Sequence, residues 1–547
     1  MSRPPHDKPK TFCCSSPVGP SKISLPVPST FGTTASAFFA SPPPAARRKT
    51  PVIPGRGRQA SKLLLRAPDT ERRIDGLRWQ LFGPKTSRGM DIWCHIHSLM
   101  SMRDAAQVAC VSSAFARFWR CHPNLVFTEE TLGLNENACD TAGNMTDFSV
   151  KVDHILKNHS GIGIEELILN LSSVNGMYNF PSSLLSGGTG DSLRYLFLAS
   201  CCFSPTPRLG CLRSLTRIQL YMVHITENEL SCFLSSCSGL QSLELRYCST
   251  ITGIRIPFLQ QLSYLEVLTC TKLQMIESNA PNLSSIYFAG GLNVRLSLGA
   301  TLQIRKFNMN CNGAPFYTRT EFPTSMPNLE SLIIHSYTEM VNAPMMPSKF
   351  LHLKFLGIVL GGPNYEFFSL VSFFDASPFL ETFILNIRRG NMAYVSIFAD
   401  PSCLRMMPEH HHDKLKRVEI INFSSYESLI ELACHILEST TSLERLILDT
   451  TYGIPRCCTT KSRKCYLMHR DALAEARRAL LAVETYIKPK VPFTVELTAL
   501  KPCSQKSLTC FLMHTNALVE ARRALLVIET YITSHVPSTI ELTLFES

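Results

Sequence analysis

The sequence predicts an α/β fold in which short parallel strands stack into a solenoid, preceded by a small three-helix module. Three observations lead to this prediction. One apolar pattern recurs about a dozen times over residues 164–456. Three short amphipathic segments with helical spacing precede it, over residues 88–125. A helix-and-strand unit then occurs twice, over residues 457–547.

The N-terminal segment, residues 1–87, is rich in Pro, Ser and basic residues and has no sustained periodicity. Such a segment cannot bury enough apolar surface to offset its ordering entropy, so we expect a disordered tail. Two alternatives stay open. Its Ser-rich, acid-poor composition is also typical of an organelle transit peptide, and the run Arg47-Arg48-Lys49 suits a nuclear-import signal.

The formal charge of +11 comes from this tail. Residues 1–88 carry 16 Lys+Arg against 4 Asp+Glu, which leaves 38 basic and 39 acidic residues in the rest of the chain. A DNA- or RNA-binding fold concentrates basic charge on its folded body, so we expect no nucleic-acid partner. No apolar run approaches the ~20 residues of a membrane span. The N-terminus also lacks the pattern of a secretory signal, so we expect a soluble protein with no membrane partner.

The 21 cysteines are spread along the chain, and no Cys-x-x-Cys pair occurs. We therefore expect neither a disulfide framework nor a zinc site. We interpret the cysteines as reduced thiols of an intracellular protein, located in the nucleus and/or cytoplasm.

Residues 88–125 predict three short helices, and residues 126–163 a linker into the repeats. Apolar residues at helical spacing mark the helices: Ile92, Ile96 and Leu99 in the first, Ala105, Ala106 and Ala109 in the second, Phe115, Phe118 and Trp119 in the third. Helices this short bury little core by themselves, so the module needs a partner or a docked neighbour.

The repeats share the pattern apolar, two variable, apolar, one variable, apolar. The clearest copy runs Leu240-Gln-Ser-Leu243-Glu-Leu245-Arg-Tyr-Cys248, and successive copies are mostly 21 to 29 residues apart, which is the period of leucine-rich repeats. Each copy supplies one strand and a return segment. Neighbours must stack because one repeat cannot offset the ~1–2 kcal/mol lost per ordered residue.

Cysteines follow three of the predicted strands, at Cys201, Cys248 and Cys270. At this position of the repeat a Cys or Asn side chain satisfies the backbone turn, so we expect a structural role. The strands form one parallel sheet that lines a concave face, and polar and aromatic residues at outward positions are typical of recognition surfaces. The candidate target-binding residues are Gln219, Tyr221, Glu244, Arg246, Glu266, Tyr287, Asn308, Asn310 and His335.

The C-terminal unit occurs twice. A helical stretch at 472–487 leads to a strand-like stretch at 491–498, and the pair returns at 517–532 and 536–543, about two-thirds identical at a 45-residue offset. A helix with a final strand suits a cap, because it covers a sheet edge that would otherwise pair with another chain. Over residues 457–547 we therefore expect a duplicated αβ cap.

With both ends in view, the chain resembles plant (grass-type) F-box proteins with leucine-rich repeats and a C-terminal FBD-like cap. The matching residues in the helical module are Asp91, Ile92, Ile96, Leu99, Met102, Asp104, Ala105, Ala106, Val111, Ser112, Phe115 and Trp119. The resemblance implies that this module binds a Skp-type adaptor and, through it, a cullin ligase. It implies adaptor-binding roles for Ile92, Ile96, Leu99 and Met102, with Val111 and Trp119 holding the helices together.

One departure concerns the start of the module. The family has a Leu-Pro pair before the acidic residue that matches Asp91, and this sequence has Arg88 and Gly89. The resemblance implies the substrate-recognition subunit of an SCF-type cullin-RING ubiquitin ligase, which binds an unknown target protein. The alternative is a leucine-rich-repeat scaffold with a degenerate F-box and no ligase role. Nucleic-acid binding through the tail is a third hypothesis.

Sequence motifs for chemistry are weak. We interpret the one metal-like cluster, at 409–413, as a solvated loop, because its adjacent histidines diverge in an extended stretch and lack a helical i, i+4 pairing. The glycine-rich stretch 187–190 lacks the lysine of a phosphate loop. We therefore expect a protein that is not an enzyme and has no cofactor, no metal and no catalytic residues.

Overall fold

The computed structural model describes residues 87–502, with gaps at 112, 134–140, 161–162, 173–175, 186–191, 207–208, 300–301, 340, 363–364, 389–395, 399–403, 406–410 and 452–469. At 87–92, 113–114 and 141–146 it describes the backbone only. The expected N-terminal tail and the second copy of the C-terminal unit lie outside the described residues.

Short strands recur along the whole of the described chain. In chain order they are β1 (Asn124–Phe127), β2 (Glu166–Asn170), β3 (Tyr178–Phe180), β4 (Tyr195–Ala199), β5 (Cys201–Phe203), β6 (Arg217–Tyr221), β7 (Ser242–Arg246), β8 (Gly253–Ile256), β9 (Tyr264–Leu268), β10 (Met275–Ser278), β11 (Ser285–Ala289), β12 (Arg295–Ser297), β13 (Lys306–Asn310), β14 (Ser331–Ser336), β15 (Phe355–Leu360), β16 (Thr382–Ile387), β17 (Arg417–Ile421), β18 (Arg445–Asp449) and β19 (Glu496–Leu500).

The helices stand before, between and after the strands. They are α1 (Ser87–Ser98), α2 (Met102–Ala109), α3 (Ser113–Trp119), α4 (Glu129–Leu132), α5 (Thr141–Asn158), α6 (Glu227–Ser235), α7 (Ala314–Ser325), α8 (Val371–Ala376), α9 (Glu427–Ser439) and α10 (Arg470–Ala482). Short 3-10 turns lie at Ser182–Leu185, Phe367–Leu370 and Lys488–Lys490, and a π-helical turn, Val483–Ile487, continues α10.

Among the described residues, 14 strands form one sheet in the order β1-β2-β4-β6-β7-β9-β11-β13-β14-β15-β16-β17-β18-β19. Neighbouring strands are parallel throughout, as in β6 with β7 and β14 with β15. The return segments carry two smaller sheets, β12-β10-β8 and β3-β5, or helices such as α6 and α9. The predicted α/β solenoid of parallel strands is thereby confirmed.

The core lies beneath one face of the large sheet. In most strands of this sheet the second and fourth residues are buried, for example Leu196 and Leu198 in β4 and Leu243 and Leu245 in β7. Each buried Leu contributes roughly 1.5–3 kcal/mol relative to an exposed one. Because parallel pairing keeps these positions in register from strand to strand, the leucines form one continuous core.

A left-handed residue ends several strands. Ser200, Met222, Tyr247 and Thr269 have φ between 53° and 56°, a conformation that costs a non-glycine residue roughly 1–3 kcal/mol. The neighbouring strand stabilises it, because the Tyr247 N–H donates to the Leu268 carbonyl at 2.8 Å. The chain then turns inward.

Three of these turns are followed by Cys201, Cys248 and Cys270, which are buried. The Cys248 thiol lies 3.6 Å from the Leu220 carbonyl oxygen, to which it donates. Burial also raises the pKa of the Cys201 thiol to about 12. The structural role predicted for these cysteines is confirmed.

The sheet begins earlier than the sequence suggested. Strand β1 lies at the end of the predicted helical module and the start of the predicted linker, and it pairs in parallel with β2. The linker prediction for 126–163 was wrong in this respect, because β1 has only four residues and lacks the leucine pattern. Its residues Leu125 and Phe127 nevertheless extend the core by one strand.

The first copy of the C-terminal unit closes the other end of the described sheet. Strand β19 pairs with β18 from Arg445↔Glu496 to Asp449↔Leu500. Helix α10 places the buried Glu475 carboxylate against Ser425, whose backbone N–H and hydroxyl both donate to it at 2.8 Å. The unit is therefore tied to the solenoid by strand pairing and by a buried carboxylate.

Candidate binding surface

The open face of the large sheet is formed by the first, third and fifth residues of each strand, which point away from the leucine core. Parallel pairing places the third residues in one row, in the order Gln219, Glu244, Glu266, Tyr287 and Asn308. The fifth residues form a second row that includes Tyr221, Arg246, Asn310 and His335. The structure thus brings the predicted target-binding residues onto one face.

Four charged side chains on this face form the ionic cluster, which consists of Arg217, Glu244, Arg246 and Glu266. Arg217 Nη2 lies 2.8 Å from one carboxylate oxygen of Glu244, and Arg246 Nη2 lies 3.0 Å from the other. Arg246 Nε lies 2.5 Å from Glu266 Oε1. The Glu244 carboxylate therefore pairs with both guanidinium groups. The Glu266 carboxylate also pairs with the guanidinium group of Arg246.

Polar neighbours complete the ionic cluster. The Gln219 amide donates to Glu244 at 2.5 Å, and the Tyr264 hydroxyl donates to Glu266 at 2.6 Å. Tyr195 donates its hydroxyl to Gln219, and its ring centroid lies 5.5 Å from the Arg217 guanidinium carbon. Buried polar groups are costly unless they are paired, and these hydrogen bonds together with the ion pairs give each carboxylate oxygen of the two glutamates a partner.

Three of the predicted target-binding residues are not available at the surface. Glu244, Glu266 and Tyr287 are buried although they lie on the open face. Their assignment to the target-contacting surface was wrong because they are buried, Glu244 and Glu266 through pairing with Arg217 and Arg246 of neighbouring strands. Burial also raises the pKa of the Glu266 carboxyl, an effect that the Arg246 charge opposes.

The arginines are the exposed part of the cluster. The Arg217 and Arg246 side chains are 39% and 34% exposed, against 5% and 2% for Glu244 and Glu266. Arg217 was missed by the sequence analysis, as were Tyr195 and Tyr264. These three residues could have been found from their position, because each is the first residue of its strand. That residue precedes the central Leu-x-Leu and faces the same side of the sheet as the third residue.

An aromatic rim borders the ionic cluster where the strands end. It consists of Tyr221, Met222 and Tyr247, and the rings of Tyr221 and Tyr247 meet edge to face with centroids 5.4 Å apart. Met222 and Tyr247 are exposed. Because both are held in the left-handed conformation at fixed turns, their side chains are presented at this edge of the sheet.

Further along, the open face becomes apolar. Four residues on adjacent strands form what we call the apolar patch: Ile333, Phe355, Gly357 and Ile384. Ile333 lies beside Gly357, and Gly357 lies beside Ile384. The side chains of Ile333, Phe355 and Ile384 are half-buried. Gly357 is buried between the two isoleucines, with the Phe355 ring and Ile333 next to the position that its Cβ would take.

Polar residues mark the transition between the two parts. Asn308 and Asn310 are half-buried, as predicted for open-face residues, and Asn310 pairs in register with His335. Burial lowers the pKa of His335 to about 4, with a smaller contribution from the Arg388 charge. Arg388 itself stacks on Tyr337, its guanidinium carbon 4.5 Å from the ring centroid.

The predicted adaptor-binding residues separate into different environments. Leu99 is 74% exposed and Ile96 is half-buried, whereas the side chain of Ile92 lies outside the described part of α1. Met102 is 5% exposed, and its sulfur accepts the Val126 N–H at 3.2 Å. The assignment of Met102 to an adaptor-facing surface was wrong, because helix α2 turns this side chain onto β1.

Two further residues of the module were assigned to its interior. Trp119 packs partly buried against the core, in agreement with the prediction. Val111 is 69% exposed, so the expectation that it holds the helices together was wrong. Its place at the end of α2 leaves it outside the contacts that join α2 to α3.

Within the described residues, no group of three or more His, Cys, Asp and Glu side chains is arranged to hold a metal ion. Of the metal-like cluster, His412 is buried with its ring centroid 5.9 Å from that of Phe374, so the expectation of a solvated loop was wrong for this residue. Residues 409 and 410 lie outside the described residues, as does the glycine-rich stretch 187–190. None of the described helices is both long and apolar enough to cross a lipid bilayer.

A comparison with family models gives one match, to the leucine-rich-repeat domain described as At1g61320/AtMIF1, LRR domain. It covers residues 130–504 and, separately, residues 505–547. The border between the two matches falls between the two copies of the C-terminal unit. No curated protein matches the chain significantly. Since the match covers most of its length, the chain belongs to the plant leucine-rich-repeat family of At1g61320/AtMIF1.

Proposed function

We propose that the chain is the substrate-recognition subunit of an SCF-type cullin-RING ubiquitin ligase. In this function the open face binds a target protein, and the helical module α1–α3 binds a Skp-type adaptor. The leucine-rich-repeat domain supports the role in protein interaction. The subunit brings two proteins together and performs no chemistry of its own, and we place it in the nucleus and/or cytoplasm.

The observation that carries the adaptor half of the proposal is the exposure of Leu99 and Val111 on the helical module. Leu99 follows α1 and Val111 follows α2, so both lie where one helix passes into the next. Large exposed apolar side chains on a small module are typical of protein interaction sites. The opposite side of the module, through Met102, is already used to cover β1.

Arg88 and Gly89 are the feature of the module that opposes this function. An apolar anchor at the start of α1 would contribute to adaptor binding, and a charged side chain there is costly to bury. We therefore expect weaker adaptor binding than in relatives with a Leu-Pro pair, by about 2 kcal/mol.

A pull-down of the full-length chain with a purified Skp-type adaptor tests the proposal. We expect binding that Leu99→Asp and Val111→Asp each reduce. The matched control Leu302→Asp changes a similarly exposed leucine on the solenoid and should leave binding unchanged. The double variant Arg88→Leu with Gly89→Pro should bind more tightly. Absence of binding by both the native chain and this double variant would overturn the ligase function.

The second candidate function is a leucine-rich-repeat scaffold that binds proteins without an adaptor. It is favoured by the position of Met102 and Ala105, which are buried where α2 meets the first strand. The helical module then serves as the N-terminal cap of the solenoid, and its presence needs no adaptor. In that case Leu99→Asp and Leu302→Asp behave alike in the pull-down, and target binding to the open face persists.

A further inference from the structure

We infer that the ionic cluster and the aromatic rim together bind an acidic peptide segment of the target, in which an Asp or Glu is followed closely by an apolar residue. The inference rests on the proposed function only in that the open face is the target-binding surface. It adds the chemical class of the target segment, and it does not depend on adaptor binding.

The ionic cluster presents positive charge at the open face. The two carboxylates lie beneath the two guanidinium groups, since the glutamate side chains are 5% exposed or less and the arginine side chains 34% or more. A ligand that approaches the open face therefore meets the arginines first. Glu244 and Glu266 act as anchors from below rather than as part of the contact surface.

The guanidinium groups of Arg217 and Arg246 keep hydrogen-bond donors for a ligand. A guanidinium group has five N–H donors. Arg217 uses Nη2 for Glu244, and Arg246 uses Nη2 for Glu244 and Nε for Glu266. Among the described residues neither Nη1 has a hydrogen-bond partner, so each arginine keeps this amino group for a ligand.

The two arginine side chains are already fixed in position before a ligand binds. A flexible arginine loses side-chain entropy when it binds a carboxylate, and this loss reduces affinity. Here Glu244 fixes both arginines, and the Tyr195 ring supports Arg217. Because the arginine side chains have already lost this entropy in the free protein, a ligand carboxylate binds them with a more favourable free energy for the same contacts.

The aromatic rim offers an apolar surface directly beside the ionic cluster. Tyr221 pairs in register with Arg246, so the rim adjoins the guanidinium groups. The exposed Met222 and Tyr247 offer an apolar surface that is held in place by fixed turns. An acidic residue with an apolar neighbour fits both surfaces, whereas a uniformly acidic or uniformly apolar segment fits one of them.

A selection from phage-displayed random dodecapeptides on the immobilised full-length chain tests the inference. We expect enriched peptides in which an Asp or Glu is followed closely by an apolar residue. A synthetic peptide of the enriched sequence should bind about tenfold or more weakly when its acid is replaced by the amide, and when the protein carries Arg246→Gln or Arg217→Gln.

Arg255→Gln is the matched control, because Arg255 is an exposed, ion-paired arginine on β8 of a return segment. Arg217→Gln guards against misfolding, since it leaves Arg246 paired with both glutamates. Enriched peptides without an acid, equal effects of Arg255→Gln and Arg246→Gln, or no enrichment at all would each overturn the inference. Any of these results leaves the adaptor pull-down unaffected, so failure of the inference and failure of the ligase function are distinguishable.

Discussion

Strands β6, β7 and β9 share the same core positions as strands β14–β16, yet the open faces of the two regions differ in chemistry. In the first region the third residues are Gln219, Glu244 and Glu266, tied into an ionic cluster. In the second they are Ile333, Gly357 and Ile384. The shared core residues are therefore sufficient to define the repeat backbone. The open-face positions can then differ between regions without a change of fold.

The largest effects should fall on the part that the two regions have in common. Leu243 in β7 and Leu356 in β15 occupy the same strand position, and both are fully buried. We expect Leu243→Ala and Leu356→Ala each to lower the free energy of unfolding by about 2–5 kcal/mol, because each leaves a cavity in the shared core. Urea denaturation measures both, and a cost below about 1 kcal/mol for either would show that its region lacks a tight core.

His335, at the transition between the regions, should give a pH-dependent effect. Its pKa is lowered from 6.5 to about 4 in the folded chain, so the unfolded chain binds more protons in this range. Stability is therefore lost as the pH falls from about 6.5 to about 4, by roughly 3 kcal/mol from this shift.

The variant His335→Gln removes the titrating group. Compared with the native chain in denaturation curves at pH 7, 5.5 and 4.5, it should show a smaller loss of stability on acidification. Identical slopes for the two proteins would mean that His335 binds its proton equally well in the folded and unfolded chains.

The ionic region should respond to loss of a single charge. Glu244→Gln keeps the shape of the side chain but removes the charge that holds Arg217 and Arg246, so we expect a cost of about 1.5–3 kcal/mol. The exposed pair Arg445–Glu496 provides the control, because Glu496→Gln should cost about 1 kcal/mol or less. Thermal unfolding of both variants makes the comparison, and equal costs would place the ionic cluster among ordinary surface ion pairs.

Much of the fold was predictable because the leucine pattern reports directly on burial. The copy from Leu240 to Cys248 defined a strand, its core residues and the turn that follows. Strand β1 was not predictable, since its four residues carry no such pattern. Met102 was misassigned because helical spacing shows which residues share a face, and not which neighbour that face meets.

The candidate site was predictable only in part for a similar reason. The sequence placed Glu244, Arg246 and Glu266 on the open face. Their burial depends on side chains from adjacent strands, whose register emerges only when the repeats stack. Arg217, 27 residues before Glu244 in the chain, therefore entered the site only with the structure.

The smallest expected effect concerns Gly357 in the apolar region. A Cβ added there would lie 3.3 Å from the Phe355 ring and 3.6 Å from Ile333 Cγ1, both of them side-chain atoms. Because the half-buried Phe355 ring can shift slightly, the loss of unfolded-state entropy should dominate. We expect Gly357→Ala to raise the free energy of unfolding by about 0.5 kcal/mol.

Gly361, just beyond the same strand, is the control for Gly357→Ala. A Cβ at Gly361 would lie 2.6 Å from the Tyr337 carbonyl oxygen, a backbone atom that cannot move aside. We therefore expect Gly361→Ala to cost more than about 1 kcal/mol. If the two alanine variants lose stability equally, Gly357 is a packing requirement of the sheet. If Gly357→Ala is tolerated, the Phe355 ring has room to shift, and the apolar region is packed less tightly than the turn at Gly361.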